Sequence, residues 1–247
     1  MSRRGSDRFT AQTGVVGAVE LPPFSAQYGR AASRRAIDAR ILELLSARLC
    51  HELSGPVAAI NNGVELLAEE DFSVRSSPNP AFLKDAMALV SDSARRARSR
   101  LQFYRFAYGF SSGSAIAGPA PDEIAIGFFA ATRIVGEYAD AIRLLSPEWQ
   151  KLACNLLLVG ADALPRGGRL ILTDAPLTLD AIGEPAALPP EAHEALILAA
   201  PIGELTPRTV QPYFTGLLAM ALDGALIVTI EPGIVRFRVI RSSDDRS

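Results

Sequence analysis

The residues best suited to chemistry gather in one run, Ser46-Ala-Arg-Leu-Cys-His-Glu-Leu-Ser-Gly-Pro-Val-Ala-Ala-Ile-Asn-Asn62. It sets a histidine, His51, directly before an acid, Glu52, within an unbroken helical period. An imidazole can act as nucleophile, proton carrier or metal ligand, and a neighbouring acid can orient its ring or take up its proton. At 100° per residue, Leu42, Leu49, Leu53, Ile60, Val64 and Leu67 fall within about 40° of the side opposite His51. Ala47, Ser54, Gly55, Ala58 and Asn62 fall within about 60° of His51 itself. The spacing therefore predicts an outward histidine in a stripe of small and polar neighbours, with the leucine side packed. Pro56 has no N–H for the Glu52 carbonyl, which predicts a bend one turn after the histidine. A metal site is disfavoured, because Cys50 and Glu52 point elsewhere on a helix and His193, the other histidine, lies in a Pro-rich stretch. The bland reading of His51 is a solvated surface histidine.

The elements that must position this run belong to a chain of 247 residues, enough for one large domain or two small ones. It is 49% hydrophobic with a formal net charge of −2, so no global field draws it to nucleic acid or to a membrane. Cys50 and Cys154 have neither zinc nor redox-pair spacing and read as reduced thiols in or near a core. No apolar run reaches spanning length and no hydrophobic signal core opens the chain, so a cytoplasmic location is expected.

Residues 1–36 read as a mobile, Arg-bearing tail. Residues 37–108 read as a helical hairpin, with a first helix from about Ala39 to Glu69, a loop at 76–80 and a second helix ending at Gly109. The second helix also carries Arg95, Arg96, Arg98 and Arg100, a row that reads as a solvated basic face. One hairpin cannot bury an apolar stripe on both helices, whereas two copies can as a four-helix bundle, so homodimerisation is expected. The Gly- and Pro-rich break at 109–121 is read as a linker. Residues 122–241 read as an α/β sandwich, one mixed sheet with helices on a single face, followed by a tail at 242–247. Its expected elements are helices near Asp122–Tyr138, Pro147–Ala163 and Thr206–Leu222, with strands at Arg169–Thr173, Leu177–Ile182, Ala225–Glu231 and Ile234–Arg241. The fold class is α+β.

The pattern His51-Glu-Leu-Ser-Gly-Pro56 resembles the phosphoacceptor box of histidine kinases and their phosphotransferase relatives. Ala47-Arg-Leu-Cys-His-Glu52 followed by Ala59-Ile-Asn-Asn-Gly-Val-Glu-Leu-Leu67 resembles the ChpT-type histidine phosphotransferases more specifically, as do Leu101-Gln-Phe-Tyr-Arg-Phe-Ala-Tyr-Gly109 and Val210-Gln-Pro-Tyr-Phe214. The resemblance spans nearly all of residues 40–240. It implies a dimerising hairpin joined to a degenerate histidine-kinase ATPase domain. It also implies a phosphorelay intermediate, in which His51 takes a phosphoryl group from a phospho-aspartate of an upstream receiver domain and gives it to a response regulator. Glu52 would assist the ring, the small residues Ala47, Ser54, Gly55, Ala58 and Asn62 would face the receiver, and Leu44 and Arg48 would edge that contact. Partners would be a second copy, the receiver domain of a hybrid histidine kinase and response regulators. The chain would bring no cofactor, and Mg2+ would be supplied by the receiver.

Trp149 to Ile171 is similar to the asparagine-bearing helix of kinase ATP-binding domains, with Asn155 where the first asparagine would be and Val159 replacing the second. The Asp-x-Gly-x-Gly loop expected beyond it is reduced to Ala181-Ile-Gly-Glu-Pro185, and no glycine-rich phosphate loop follows. The expectation is a kinase-like fold without a nucleotide site, Asn155 being structural. Rival readings are an ATP-dependent histidine kinase with divergent boxes and a non-catalytic dimerisation scaffold.

Overall fold

Helix α1 spans Ala39–Glu69 and α2 spans Pro80–Tyr108, matching the periodicity of the two apolar stripes. The computed structural model describes residues 38–69, 80–109 and 120–241. The tails at 1–36 and 242–247, the loop before Pro80 and nearly all of the 109–121 break lie outside the described residues. Helix α1 passes through Pro56 without interruption. The two helices approach closely at Gly63, where an added Cβ would lie 2.5 Å from Val90 Cγ2. A valine cannot turn aside easily because its χ1 is stiff, so the spacing of the pair needs glycine there.

Beyond the hairpin the elements run α3 (Pro121–Phe129), β1 (Ile134–Tyr138), α4 (Pro147–Asp162), β2 (Gly168–Asp174), β3 (Leu177–Ile182), α5 (Pro190–Leu196), α6 (Val210–Ala221), β4 (Gly224–Glu231) and β5 (Ile234–Arg241). The five strands form one mixed sheet in the order β1-β2-β3-β5-β4, with only β1 and β2 parallel. Alternate residues of the strands point one way: Leu170 and Leu172, Leu177, Leu179 and Ala181, Val235, Phe237 and Val239 are all buried and pack with α4. The opposite face carries the exposed ion pairs Arg169–Glu137 and Arg236–Asp180. Helices therefore cover one face only. The turn from α4 into β2 passes through Gly167 at φ 89°, a left-handed conformation in which a side chain would strike the Arg133 backbone.

Two expectations are corrected, and one helix appears where none was assigned. The helix expected at Asp122–Tyr138 stops at Phe129, and Ile134–Tyr138 is a strand. Thr132 makes the change of direction, donating its hydroxyl to the Phe129 carbonyl at 2.8 Å and accepting from the Ile134 N–H at 3.1 Å. The β-branched Ile134 and Val135 then find their hydrogen-bond partners in β2, more than thirty residues on. The Pro-rich stretch near His193 holds α5, with Pro190 in the first turn, where a missing N–H costs nothing. Helix α6 begins at Val210 rather than Thr206, because Thr206 and Thr209 close a turn of their own through the Thr206 N–H and the Thr209 hydroxyl at 2.9 Å.

The described residues from Asp38 onward form one compact unit. Phe103, Tyr104 and Ala107 of α2 lie in the same core as α4 and the sheet, and Phe103 stacks on Phe128 of α3 with ring centroids 4.3 Å apart. Ile41, Leu44 and Leu45 of α1 pack with Leu205, Val210, Tyr213 and Phe214 around α6. Where α2, α4 and α6 meet, a polar chain is buried. The Tyr108 hydroxyl donates to Gln211 Oε1 at 2.6 Å, and Gln211 Nε2 donates to Asn155 Oδ1 at 3.0 Å. Asn155 Nδ2 donates to the Ala107 and Lys151 carbonyls at 2.9 and 2.8 Å. Among the described residues no helix is long and apolar enough to cross a membrane.

Replacing Asn155 by leucine removes the better acceptor of Gln211 Nε2, which keeps only a 3.4 Å bond to Thr215 Oγ1, and the side-chain donor to the Ala107 carbonyl. Asn155→Leu is expected to lower stability by about 3 kcal/mol, read as a reduced urea midpoint at unchanged m-value.

Candidate functional site

Helix α1 has three distinct sides. One packs inward through Ile41, Leu45 and Gly63. A second is open and carries His51 with Ala47, Cys50, Ser54, Gly55, Ala58 and Asn62, all exposed. The third keeps Leu42, Val57 and Val64 exposed, while Leu49, Leu53, Ile60 and Leu67 are half-buried. The structure thus brings His51 together with all five small or polar residues expected beside it. Leu42 and Val64, expected on the packed side, remain about half exposed among the described residues.

The charged neighbours of His51 turn away from the open stripe. Glu52 faces α2 and forms an ion pair with Arg100, both side chains being half-buried. The Arg100 guanidinium also lies over the Phe128 ring, 5.6 Å from its centroid. Glu52 was expected to serve the imidazole, but the partner of its carboxylate in this structure is Arg100. Sequence spacing offered no signal for that pair, since the two residues are 48 positions apart on antiparallel helices.

The two expected edge residues have partners inside the fold. Leu44 is 6% exposed and sits in the apolar cluster around α6, so it is part of the core and not of a free surface. Arg48 reaches to the end of α4, with Nη2 2.8 and 3.1 Å from the two carboxylate oxygens of Asp162. Burial works against its charge, but Asp162 and the nearby Tyr108 and Tyr104 outweigh burial and hold its pKa above the ordinary value. The physical reason is the same for both residues: α6 and the end of α4 cover the first two turns of α1, where the isolated helix left Leu44 and Arg48 on the histidine side.

Burial, reinforced by the Glu52 carboxylate, lifts the Tyr104 hydroxyl well above the ordinary tyrosine range. Burial does the same to Tyr108, which suits its role as donor to Gln211. The Cys154 thiol, wholly inside the core, is pushed up to about 12 by burial. Asn155 is fully buried, its amide engaged as both donor and acceptor within the fold. Val159 beside it is fully buried, and Ala181 lies inside β3. A cavity of about 280 Å3 remains between α4 and α5, edged by Arg48, Asp162, Glu191 and Arg208. Among the described residues no three His, Cys, Asp or Glu side chains group as a metal site. What the geometry offers is an accessible imidazole whose nearest neighbours on the stripe, Ala47 to Asn62, are small and uncharged.

A family described as the histidine phosphotransferase C-terminal domain matches residues 121–233. The protein phosphotransferase ChpT of Brucella abortus (strain 2308) is 36% identical over 184 residues, spanning 71% of this chain and 83% of that protein. The solved structure of a bacterial phosphotransferase aligns with a TM-score of 0.66 at 31% identity, covering 83% of this chain and 98% of the other. The likeness to the Acinetobacter baumannii histidine kinase AdeS is slighter, with a TM-score of 0.36 at 12% identity. With this identity and coverage, the chain belongs to the ChpT-type protein phosphotransferase family.

Proposed function

We propose that this chain is a phosphorelay intermediate in which His51 carries the phosphoryl group between two receiver domains. The observation that carries the reading is the open stripe. His51 is exposed among Ala47, Ser54, Gly55, Ala58 and Asn62, while Arg48 and Glu52 on either side are tied inward. A ring nitrogen of neutral His51 attacks the phosphorus of a receiver's aspartyl phosphate. The new N–P bond forms as the P–O bond to the aspartate breaks, and the carboxylate leaves. In the second half the phosphoramidate is the donor and an aspartate of another receiver is the nucleophile, returning the neutral imidazole. Small residues let the partner's surface approach the ring, and between Ala47 and Asn62 no carboxylate on the stripe opposes the incoming negative charge; Glu65, further along the same side, accepts from Asn61. Magnesium, which offsets phosphoryl charge, comes with the receiver.

ATP has no part in this reading. Asn155, at the position where a kinase would hold metal, spends its amide on Ala107, Lys151 and Gln211. The chain works as a homodimer in the cytoplasm. Leu42, Val57 and Val64 of α1 and Met87 and Leu101 of α2 are each at least half exposed, an apolar seam that a second hairpin would cover as a four-helix bundle.

Purified chain incubated with labelled ATP alone is expected to stay unlabelled, and to take label from a phosphorylated receiver only with His51 intact. Label lost in His51→Gln supports the relay; label gained from ATP makes the chain a kinase instead. Signalling that survives His51→Gln favours a scaffold. Separately, Met87→Glu combined with Leu101→Glu buries like charges across the seam and is expected to shift the mass in light scattering from dimer to monomer. An unshifted mass would place the interface elsewhere.

A further inference from the structure

Beside the phosphoacceptor stripe, a cavity of about 260 Å3 opens where α1, α2 and α3 converge. Gly55 of α1 and Gly127 of α3 leave it open, and Ser93, Arg96, Ser99 and Arg100 of α2 line it. Its polar lining is donor-rich. Ser93 is 2% exposed. Arg96 has no carboxylate partner among the described residues, whereas Arg95 on the outer side pairs with Asp92 and Arg100 with Glu52. No acid lines the cavity. Arg95, Arg96 and Arg98 stay exposed, as the sequence suggests, but of these Arg96 also edges the pocket, while Arg100 is drawn inward to Glu52.

We propose that this pocket is a carboxylate subsite that receives an acidic side chain of the docked receiver domain. The inference rests on the relay reading and names a contact within it. A serine hydroxyl lining the pocket and the exposed Arg96 guanidinium at its edge, which has no carboxylate partner among the described residues, are donors that an anionic oxygen can satisfy. The volume lies below that of ordinary small-molecule sites, about 300–1,000 Å3, and suits a side chain or small oxyanion better than a nucleotide. The location selects the source. Gly55 belongs to the open stripe, one turn beyond His51, so a surface laid over the histidine covers the mouth of the pocket. Arg100 is locked by Glu52 and Phe128, leaving Arg96 to set the charge that a partner must match.

The test uses the receiver that labels the wild-type chain and measures transfer rate against receiver concentration. Arg96→Glu is expected to raise the half-saturating concentration about tenfold with little change in maximal rate, the scale of one charge-assisted contact. Arg96→Lys should recover most of the loss. Gly127→Leu fills the pocket without touching its charge and should also weaken docking; an added Cβ there meets only Ser99 Oγ, at 3.6 Å. One acid-to-lysine replacement on the receiver should restore binding to Arg96→Glu. Saturation like wild type in both Arg96→Glu and Gly127→Leu, with transfer still dependent on His51, overturns the subsite and leaves the relay standing. Inorganic phosphate that binds the chain through Arg96 without altering receiver saturation would make it a free oxyanion site and overturn it too. A wild-type chain that no receiver labels removes the relay reading, and the subsite with it.

Discussion

The buried chain from Tyr108 through Gln211 to Asn155 fixes how the hairpin meets the α/β layer. It joins the end of α2 to the middle of α4 and the start of α6, with Lys151 adding a bond from Nζ to the Gly109 carbonyl at 2.7 Å. Apolar contacts alone would hold these helices together at several nearby angles. Side-chain amides in a low-dielectric interior do not tolerate that freedom, because a shift of an ångström leaves donors and acceptors unpaired. The network therefore sets the direction in which α2 leaves the layer, and α1 follows α2 through the close contact at Gly63.

That geometry decides what faces outward on α1. Where α6 and α4 reach the helix, Leu44 enters the core and Arg48 is drawn to Asp162. One turn later Glu52 is drawn to Arg100. Both charges that flank His51 in sequence are used in holding the body together, and what remains around the ring is small and uncharged. At the margins of that stripe, the arginine row of α2 and the floor provided by α3 are shaped by tertiary packing.

The same packing separates the two exposed sides of the hairpin. The stripe with His51 is polar and stays open, while the seam through Leu42, Val57, Val64, Met87 and Leu101 is apolar and at least half exposed among the described residues. The uncovered face of the sheet, by contrast, is self-compensated by its ion pairs and has the character of an ordinary solvated surface.

Local pattern by itself determined the two long helices to within a residue, the strands at Leu177–Ile182 and Ile234–Arg241, the outward placement of His51 and the five neighbours on its stripe. Each depends on a period of 3.6 or 2 acting within one element, and periodicity is visible without knowing what lies opposite. Asn155, expected to be structural, is buried and hydrogen-bonded within the fold. Tertiary structure alone decided the strand Ile134–Tyr138, whose partner is the distant β2, and the fates of Leu44, Arg48, Glu52 and Arg96. A helical wheel assigns these four only an angle. Whether that angle meets a core, a counter-ion or a pocket depends on segments far away in the chain, brought there by the burial of α2 and the alignment of its polar chain.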